Sequence, residues 1–544
     1  MNSKAPRLTL LAMGLSALLA GCRTKPAIVS APKPDARVAE YVAEGDAHFL
    51  DSQLYGWRHA EASYQRAFDL AGSDEIRRKL LLTRFLIMIR QYEEDVPNPK
   101  ADEVIQALCA VAVSEKDKAL CRIAEWYKSK YGAGQREASA SSQKEKAGPG
   151  PFNSEEAALE AYLYLLYAKA SQLGDPPPDW EALSGKFKDS PLFLYLNLGK
   201  RGSPDAAEIE KSFPQFAEVF EFTGESLFQK KKYSSARAYF KKAIDLIPDY
   251  TRAIIGLGNI YFFALDDQEK ALEHYQAALT WDATSTAALY GKGAALSQLG
   301  KYEESNAVLD QMLASDLSRS GRISASGIRY YQGEANYLKA SNHHLMKNPS
   351  RARELVDTAK QFLPDSEEIN YLSGILFFEA KDLEAARRDF LRVMERGNSN
   401  CSAQYHLGWI YRERKGTLEE QPTGKPNVPR GDGYDKLMKL LSQMPTSKEL
   451  AEKRALNYFL GACSCMEMAM RSQREQINTV SSLDLEADEK VILKGKLEKR
   501  LFDYRLSSVS MIESMVQAVS GDEIAGKETY VNLMNEYLTR IRPR

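Results

Sequence analysis

Six glycines set the period of this chain. Gly224, Gly258, Gly293, Gly333, Gly374 and Gly408 stand 34, 35, 40, 41 and 34 residues apart. Most are followed three or four residues later by an aromatic or a leucine, then by alanine, a bulky residue and alanine at fixed offsets. Small residues recurring at such a period mark stacked helical hairpins, each of which buries its face only against its neighbours. A chain built this way grows by addition along one axis and cannot wrap a single globular core.

The unit from Ala217 to Tyr250 shows the logic. Phe220, Gly224 and Leu227 share one face of a first helix, and Ala236, Phe240 and Ala243 share one face of a second. Glycine and the two alanines are small where two helices cross closely. Phe240 fills the space they leave, and Pro248 ends the second helix because it has no N–H to donate.

These residues resemble the tetratricopeptide repeat. The next unit has Leu257, Gly258 and Tyr261, then Ala271, Tyr275 and Ala278 after a one-residue insertion. A third has Leu289, Gly293, Leu296 and Leu309, with Ser305 and Met312 in place of the small alanines. The fourth has Gly333, a longer loop expected around His343 and His344, then Ala352, Val356, Ala359 and Pro364. The fifth has Gly374, Phe377, Ala386 and Phe390; the sixth begins with Leu407, Gly408 and Tyr411 and then breaks off. The resemblance implies an all-α fold, an α-solenoid of stacked hairpins wound as a superhelix, with a helical C-terminal cap.

Around this array, 217–413, the rest of the 544 residues divides by composition. Residues 1–22 have a basic start at Lys4 and Arg7, then an apolar run from Leu8 to Leu19. That run is too short for a bilayer, which needs about 20 residues, and fits an export signal. It ends Leu19-Ala20-Gly21-Cys22, which resembles the bacterial lipoprotein processing box; the resemblance implies cleavage before Cys22 and lipidation of its thiol. Residues 23–37 contain Pro26, Pro32 and Pro34 and read as a tether. Arg23 after the cysteine favours the outer membrane, so the expected location is a cell membrane or outer membrane, lipid-anchored and facing the periplasm.

Residues 38–131 read as an N-terminal helical region in which Tyr41, Gly45 and Phe49, then Ala60, Tyr64 and Ala67, form a degenerate first repeat. A serine- and glycine-rich linker at 132–153 follows, then a helical connector at 154–216. A loop insertion occupies 414–446, and 447–544 holds three longer helices, at 447–480, 485–519 and 523–542. A solenoid needs a polar-backed cap at its open end; oligomerisation is the competing use of these helices.

The 73 basic and 74 acidic residues are interspersed, so bulk charge recruits no nucleic acid. Besides Cys22 there are five cysteines, an odd number. Cys109 and Cys121 flank Ser114 at the turn of an expected hairpin, where they either pair or stay buried thiols. Cys463 and Cys465 are two apart on a helix, point in different directions and read as small core residues. The adjacent His343 and His344 have no ligand pattern around them, so neither a metal nor a cofactor is expected. There is no HExxH, no G-x-S-x-G and no phosphate loop, since Gly526-Lys527 lacks the hydroxyl residue next. An enzyme is not expected.

The resemblance also implies a binding face, because first helices of such arrays line a concave groove. Three residues before successive glycines stand Glu221, Ile255, Tyr290, Tyr330, Tyr371 and Tyr405. Four residues after them stand Phe228, Phe262, Ser297, Tyr337, Phe378 and Arg412, and Trp409 follows Gly408. Tyr290, Tyr330, Tyr371, Tyr405, Phe262, Tyr337, Phe378 and Trp409 are therefore expected to form one continuous aromatic lining, or else to pack against neighbouring helices or another part of the chain. Tyrosine suits binding surfaces by combining a large ring with a hydroxyl and little rotamer entropy. Members that hold a terminal carboxylate place lysine and asparagine in the groove; Glu221, Glu225 and the tyrosines leave no such clamp.

The function expected is a lipid-anchored scaffold of the cell envelope that binds a protein or peptide partner, in secretion or envelope assembly. The alternative is the ligand-binding component of a transport system, with a small apolar molecule enclosed beneath Tyr330, Tyr371 and Trp409.

Overall fold

The computed structural model describes residues 35–50, 54–94, 100–110, 121, 124, 210–211, 214–315, 317, 325–396, 400–413, 450–522 and 527–542. The 1–22 leader with Cys22, the 132–153 linker, the 414–446 insertion and most of the tether and of 154–216 lie outside them. The described regular structure is helical throughout. The helices are α1 (Ala36–Leu50), α2 (Leu54–Leu70), α3 (Asp74–Glu94), α4 (Ala101–Ala110), α5 (Ala217–Gln229), α6 (Tyr233–Leu246), α7 (Thr251–Asn259), α8 (Gln268–Trp281), α9 (Thr286–Gln298) and α10 (Tyr302–Ala314). They continue as α11 (Ala325–Leu345), α12 (Pro349–Phe362), α13 (Glu367–Glu379), α14 (Leu383–Arg396), α15 (Cys401–Glu413), α16 (Leu450–Thr479), α17 (Ala487–Ser520) and α18 (Lys527–Ile541).

Hairpins α5/α6, α7/α8, α9/α10, α11/α12 and α13/α14 stack in order, and successive first helices α5, α7, α9, α11 and α13 touch one another. Why the period carries glycine is visible at Phe240. A Cβ on Gly224 would stand 2.8 Å from its ring and one on Gly256 would stand 2.5 Å away. The ring of a second helix is thus clasped between the first helix of its own unit and that of the next. Tyr275 repeats this between Gly258 and Gly291, at 2.7 and 2.6 Å.

Two of the insertions are absorbed within hairpins. The turn after each first helix contains a left-handed residue: Lys231, Asp266, Gly300, Lys347 and Lys381. By number these follow the ladder glycines by 7, 8, 7, 14 and 7 residues. The one extra residue in the second unit is taken up by a π-turn at Ile260–Ala264. The seven extra residues in the fourth become two more turns of α11. The loop expected at His343 and His344 is therefore helix, and both histidines are half-buried in its last turn.

The lengthened helix is held by buried polar groups. Asn342 donates to Ser305 Oγ at 3.0 Å and to Asn306 Oδ1 at 2.9 Å, and accepts from Ser297 Oγ at 2.5 Å. Ser305 in turn donates to the Gly293 carbonyl at 2.7 Å. This accounts for serine where other units have alanine.

The sixth unit does not break off. α16 packs along α15, and its Ala455, Phe459 and Ala462 repeat the spacing of Ala236, Phe240 and Ala243. All three are buried, and Phe459 lies where a Cβ on Gly408 would be. The second helix was displaced in sequence by the 414–446 insertion, which hid it. A disulfide between Cys401 of α15 and Cys465 of α16 staples the pair, while Cys463 stays a buried thiol. Cys465 is thus a bridge rather than a core filler. Cys109 and Cys121 are also bonded, with their Cα atoms 5.1 Å apart.

α16, α17 and α18 form one apolar cluster over the sixth unit, the cap expected there. α17 also reaches back to the start of the array. Ahead of it, the Asp484 carbonyl accepts from Ser234 N at 2.8 Å and its carboxylate from Ser235 N at 2.9 Å. Within it, Glu489 pairs with Arg237 and Arg500 with Asp266, while Lys496 donates to the Asp266 carbonyl at 2.6 Å. A cluster that includes Leu485 and Leu493 joins this end to α5, α7, α2 and α3. The N-terminal hairpin α1/α2, with Tyr64 filling the place a Cβ on Gly45 would need, is tied to the array from α2 by the ion pair Arg58–Asp249 at 2.5 Å, and α3 is tied to α5 by the buried pair Arg90–Glu218 at 3.2 Å.

Candidate functional site: the concave aromatic face

First helices that touch one another bring the residues three before and four after each glycine to a common side. In the middle of the array this holds for the tyrosines. Tyr290 donates to Glu334 Oε2 at 3.2 Å, and its ring meets Tyr331 edge-on at 5.6 Å. Tyr330 stands 5.9 Å from the same Tyr331 and is 49% exposed. Tyr337 packs half-buried onto the cluster of α11, α12 and α13, and burial pushes its hydroxyl up to about 12. Tyr371 lies within electrostatic reach of Tyr337, and burial raises its own hydroxyl as well.

Glu334 and Glu368 complete this stretch. Burial raises the Glu334 carboxyl above its usual range and the Glu368 charge adds to that, against the lowering by the Tyr290 hydrogen bond. Neither glutamate was singled out from the sequence. The signal was present, because Glu334 follows Gly333 directly and Glu368 stands six residues before Gly374, two offsets that also face the groove.

Towards the sixth unit the rings converge on His406, which the sequence reading also missed. His406 stacks on Phe390 at 5.2 Å and meets Phe378 at 5.1 Å, Tyr405 at 5.3 Å and Tyr371 at 6.4 Å. Burial among them holds its imidazole below the usual histidine range. Nδ1 lies 2.7 Å from the Ser402 carbonyl, an acceptor only, so Nδ1 carries the proton of the neutral ring.

Beyond His406 the lining meets the C-terminal helices. Tyr405 and Trp409 pack against the cluster built by α16, α17 and α18, with Trp409 edge-on to Phe459 at 5.6 Å. Arg412 lies over the Trp409 ring and pairs with Asp522 at 2.8 Å. Phe262 is separate again, against Tyr275 and Ala295 and 4.8 Å from Phe263. The continuous lining expected of eight rings is thus divided. Tyr290, Tyr330, Tyr337 and Tyr371 form the middle, Phe378 joins through His406, and the C-terminal helices cover the far end.

A cleft of about 410 Å³ lies elsewhere, between the second-unit turn and α17, lined by Asp266, Leu299, Lys496, Arg500 and Asp503 among others. Asp266, Lys496 and Arg500 there are engaged in the α17 contacts already described. Among the described residues no group of histidine, cysteine and carboxylate side chains has the arrangement of a metal site.

A family model described as a tetratricopeptide repeat matches residues 192–251 and 223–288. No curated protein sequence matches the chain. Among solved structures it is similar to pilF of Pseudomonas aeruginosa, at 16% identity over 36% of this chain and 83% of that one, with a TM-score of 0.33. It is similar also to PilW, a type IV pilus biogenesis factor, at 14% identity over 45% and 94% of the two chains and a TM-score of 0.30. For YrrB, a repeat protein with a peptide-binding site, the identity is 18% over 42% and 91%, with a TM-score of 0.27.

Proposed function

Since this chain is a tetratricopeptide-repeat protein, we propose that it is a lipid-anchored scaffold of a bacterial cell envelope. On this reading it holds a protein or peptide partner on the middle of its concave face. The observation that carries the reading is Tyr330, a large ring left 49% exposed among the half-buried Tyr290, Tyr337 and Tyr371. Exposed aromatic surface grouped on one face is the mark of an interaction site. The same exposure counts against an enclosed chamber for a small apolar molecule, and Trp409, needed for its wall, is packed under the C-terminal helices.

The anchoring half rests on Leu19-Ala20-Gly21-Cys22. Two or more acyl chains hold a protein on a membrane where one does not. Cys22→Ala is expected to release the protein from sedimenting membranes; retention as tight as in the parent would sink the anchor. The groove half is tested by a photo-crosslinking residue placed at position 330 or at position 281. Trp281 is equally exposed, at 50%, but lies at the end of the second helix α8. A discrete adduct from 330 and none from 281 is expected; equal labelling from both sites would remove the groove.

A further inference from the structure

The three central units also constrain what the partner brings. Their groove positions, taken six and three residues before and one and four after each glycine, are Ala287, Tyr290, Ala294 and Ser297, then Gly327, Tyr330, Glu334 and Tyr337, then Glu368, Tyr371, Ile375 and Phe378. They hold two carboxylates and no lysine, arginine or histidine. Nearer the ends, Arg252 pairs with Glu221 at 2.7 Å, Glu218 with Arg90 and Arg412 with Asp522, while Glu225 takes a hydrogen bond from Gln229. Glu334 and Glu368 are different. Among the described residues neither has a basic partner; their hydrogen bonds come from Tyr290 and Ser366.

We propose that this stretch docks a segment of a partner protein through a lysine or arginine side chain, seated between Glu334 and Glu368 and walled by Tyr290, Tyr330, Tyr337 and Tyr371. This deepens the scaffold reading and rests on it. The charge complementarity is specific. A cation entering here meets two carboxylates and the negative faces of aromatic rings, which attract it further. An acidic or C-terminal segment would meet only repulsion. The alanines and glycine at 287, 294 and 327 leave room between the rings for a main chain to approach. The raised titration of Glu334 fits the same picture, since a carboxylate held half-buried beside a second one gains most from an incoming positive charge.

The test uses the full-length protein and three acetylated, amidated octapeptides that differ only at two central positions, filled by arginine, citrulline or glutamate. Citrulline keeps the shape and removes the charge. Titration calorimetry is expected to show the arginine peptide binding at least ten-fold tighter than the citrulline one, with the glutamate peptide weakest. Glu334→Gln together with Glu368→Gln should abolish the preference, and Gln at 334 can still accept the Tyr290 hydrogen bond, so folding is retained and is checked by thermal melting. Equal affinity for arginine and citrulline, binding by none of the three, or a preference that survives both substitutions would overturn the inference. The scaffold reading fails separately, through the crosslinking at 330 and 281, so a partner seated there without charge preference would leave the groove standing and remove only its cation.

Discussion

Two glycines show how one substitution takes opposite signs in a single chain. Gly300 sits at φ +76° in the turn between α9 and α10, a conformation that costs other residues steric strain. Gly300→Ala should lower stability by about 1 kcal/mol. Gly495 lies inside α17, and a Cβ there would meet nothing within 4 Å. Gly495→Ala should raise stability by about 0.5–1 kcal/mol, the helix-propensity difference. Urea denaturation of both variants measures the pair. His406 adds a pH dependence. Its folded pKa lies below the unperturbed 6.5, so between those two values the unfolded chain binds more protons. The stability it permits is complete above about 6.5 and is lost as pH falls through the folded value. His406→Phe should flatten the loss of stability between pH 7 and 5. His274 and His343 are lowered by burial too and will keep part of the slope. A variant with an undiminished slope would contradict the assignment.

At the scale of helices, the repeat was legible wherever spacing alone determined packing. Gly224 with Phe240 and Gly258 with Tyr275 could be read because residues seven or fewer apart fix each face. Gly256 and Gly291, the second jaw on each ring, belong to the next unit, and their role is seen only when units stack. The sixth second helix was hidden for a related reason: period analysis assumes its partner follows at once, whereas Phe459 comes 51 residues after Gly408. The seven-residue insertion, expected as a loop, continues as helix because a two-turn extension preserves the phase of the helix, and Asn342 can be buried once Ser305 and Asn306 satisfy it. Charge partners far apart in sequence were not legible at all. Arg90 and Glu218 are both fully buried, and Glu218 also accepts from Leu54 N at 3.3 Å. Removing one member, as in Arg90→Ala, should cost about 3–5 kcal/mol, since it strands a buried charge. Replacing both by Met and Leu should cost far less. A double-mutant cycle by chemical denaturation separates the two cases, and additive losses would contradict a coupled pair.

Over the whole molecule, α17 decides which part of the groove is available. One end of it is bound to Ser234, Arg237 and Asp266, and the other, through Asp522 beyond it, to Arg412. The C-terminal helices thereby pack on Tyr405 and Trp409 of the sixth unit, while among the groove tyrosines of units three to five Tyr330 stays exposed. No local pattern foretold this, because α17 reads simply as an amphipathic helix and the surface it chooses is set by tertiary contacts. The central claim is that Tyr330 and Tyr371 bind a partner while Tyr405 and Trp409 serve the fold. One measurement addresses it most directly: recovery of crosslinked partner from intact envelopes, set beside the melting temperature, for Tyr330→Ala and for Trp409→Ala. The account predicts that Tyr330→Ala, at an exposed ring, loses the partner with a melting temperature close to the parent's, and that Trp409→Ala lowers the melting temperature while the folded fraction still binds. A partner retained by the well-folded tyrosine variant would contradict it.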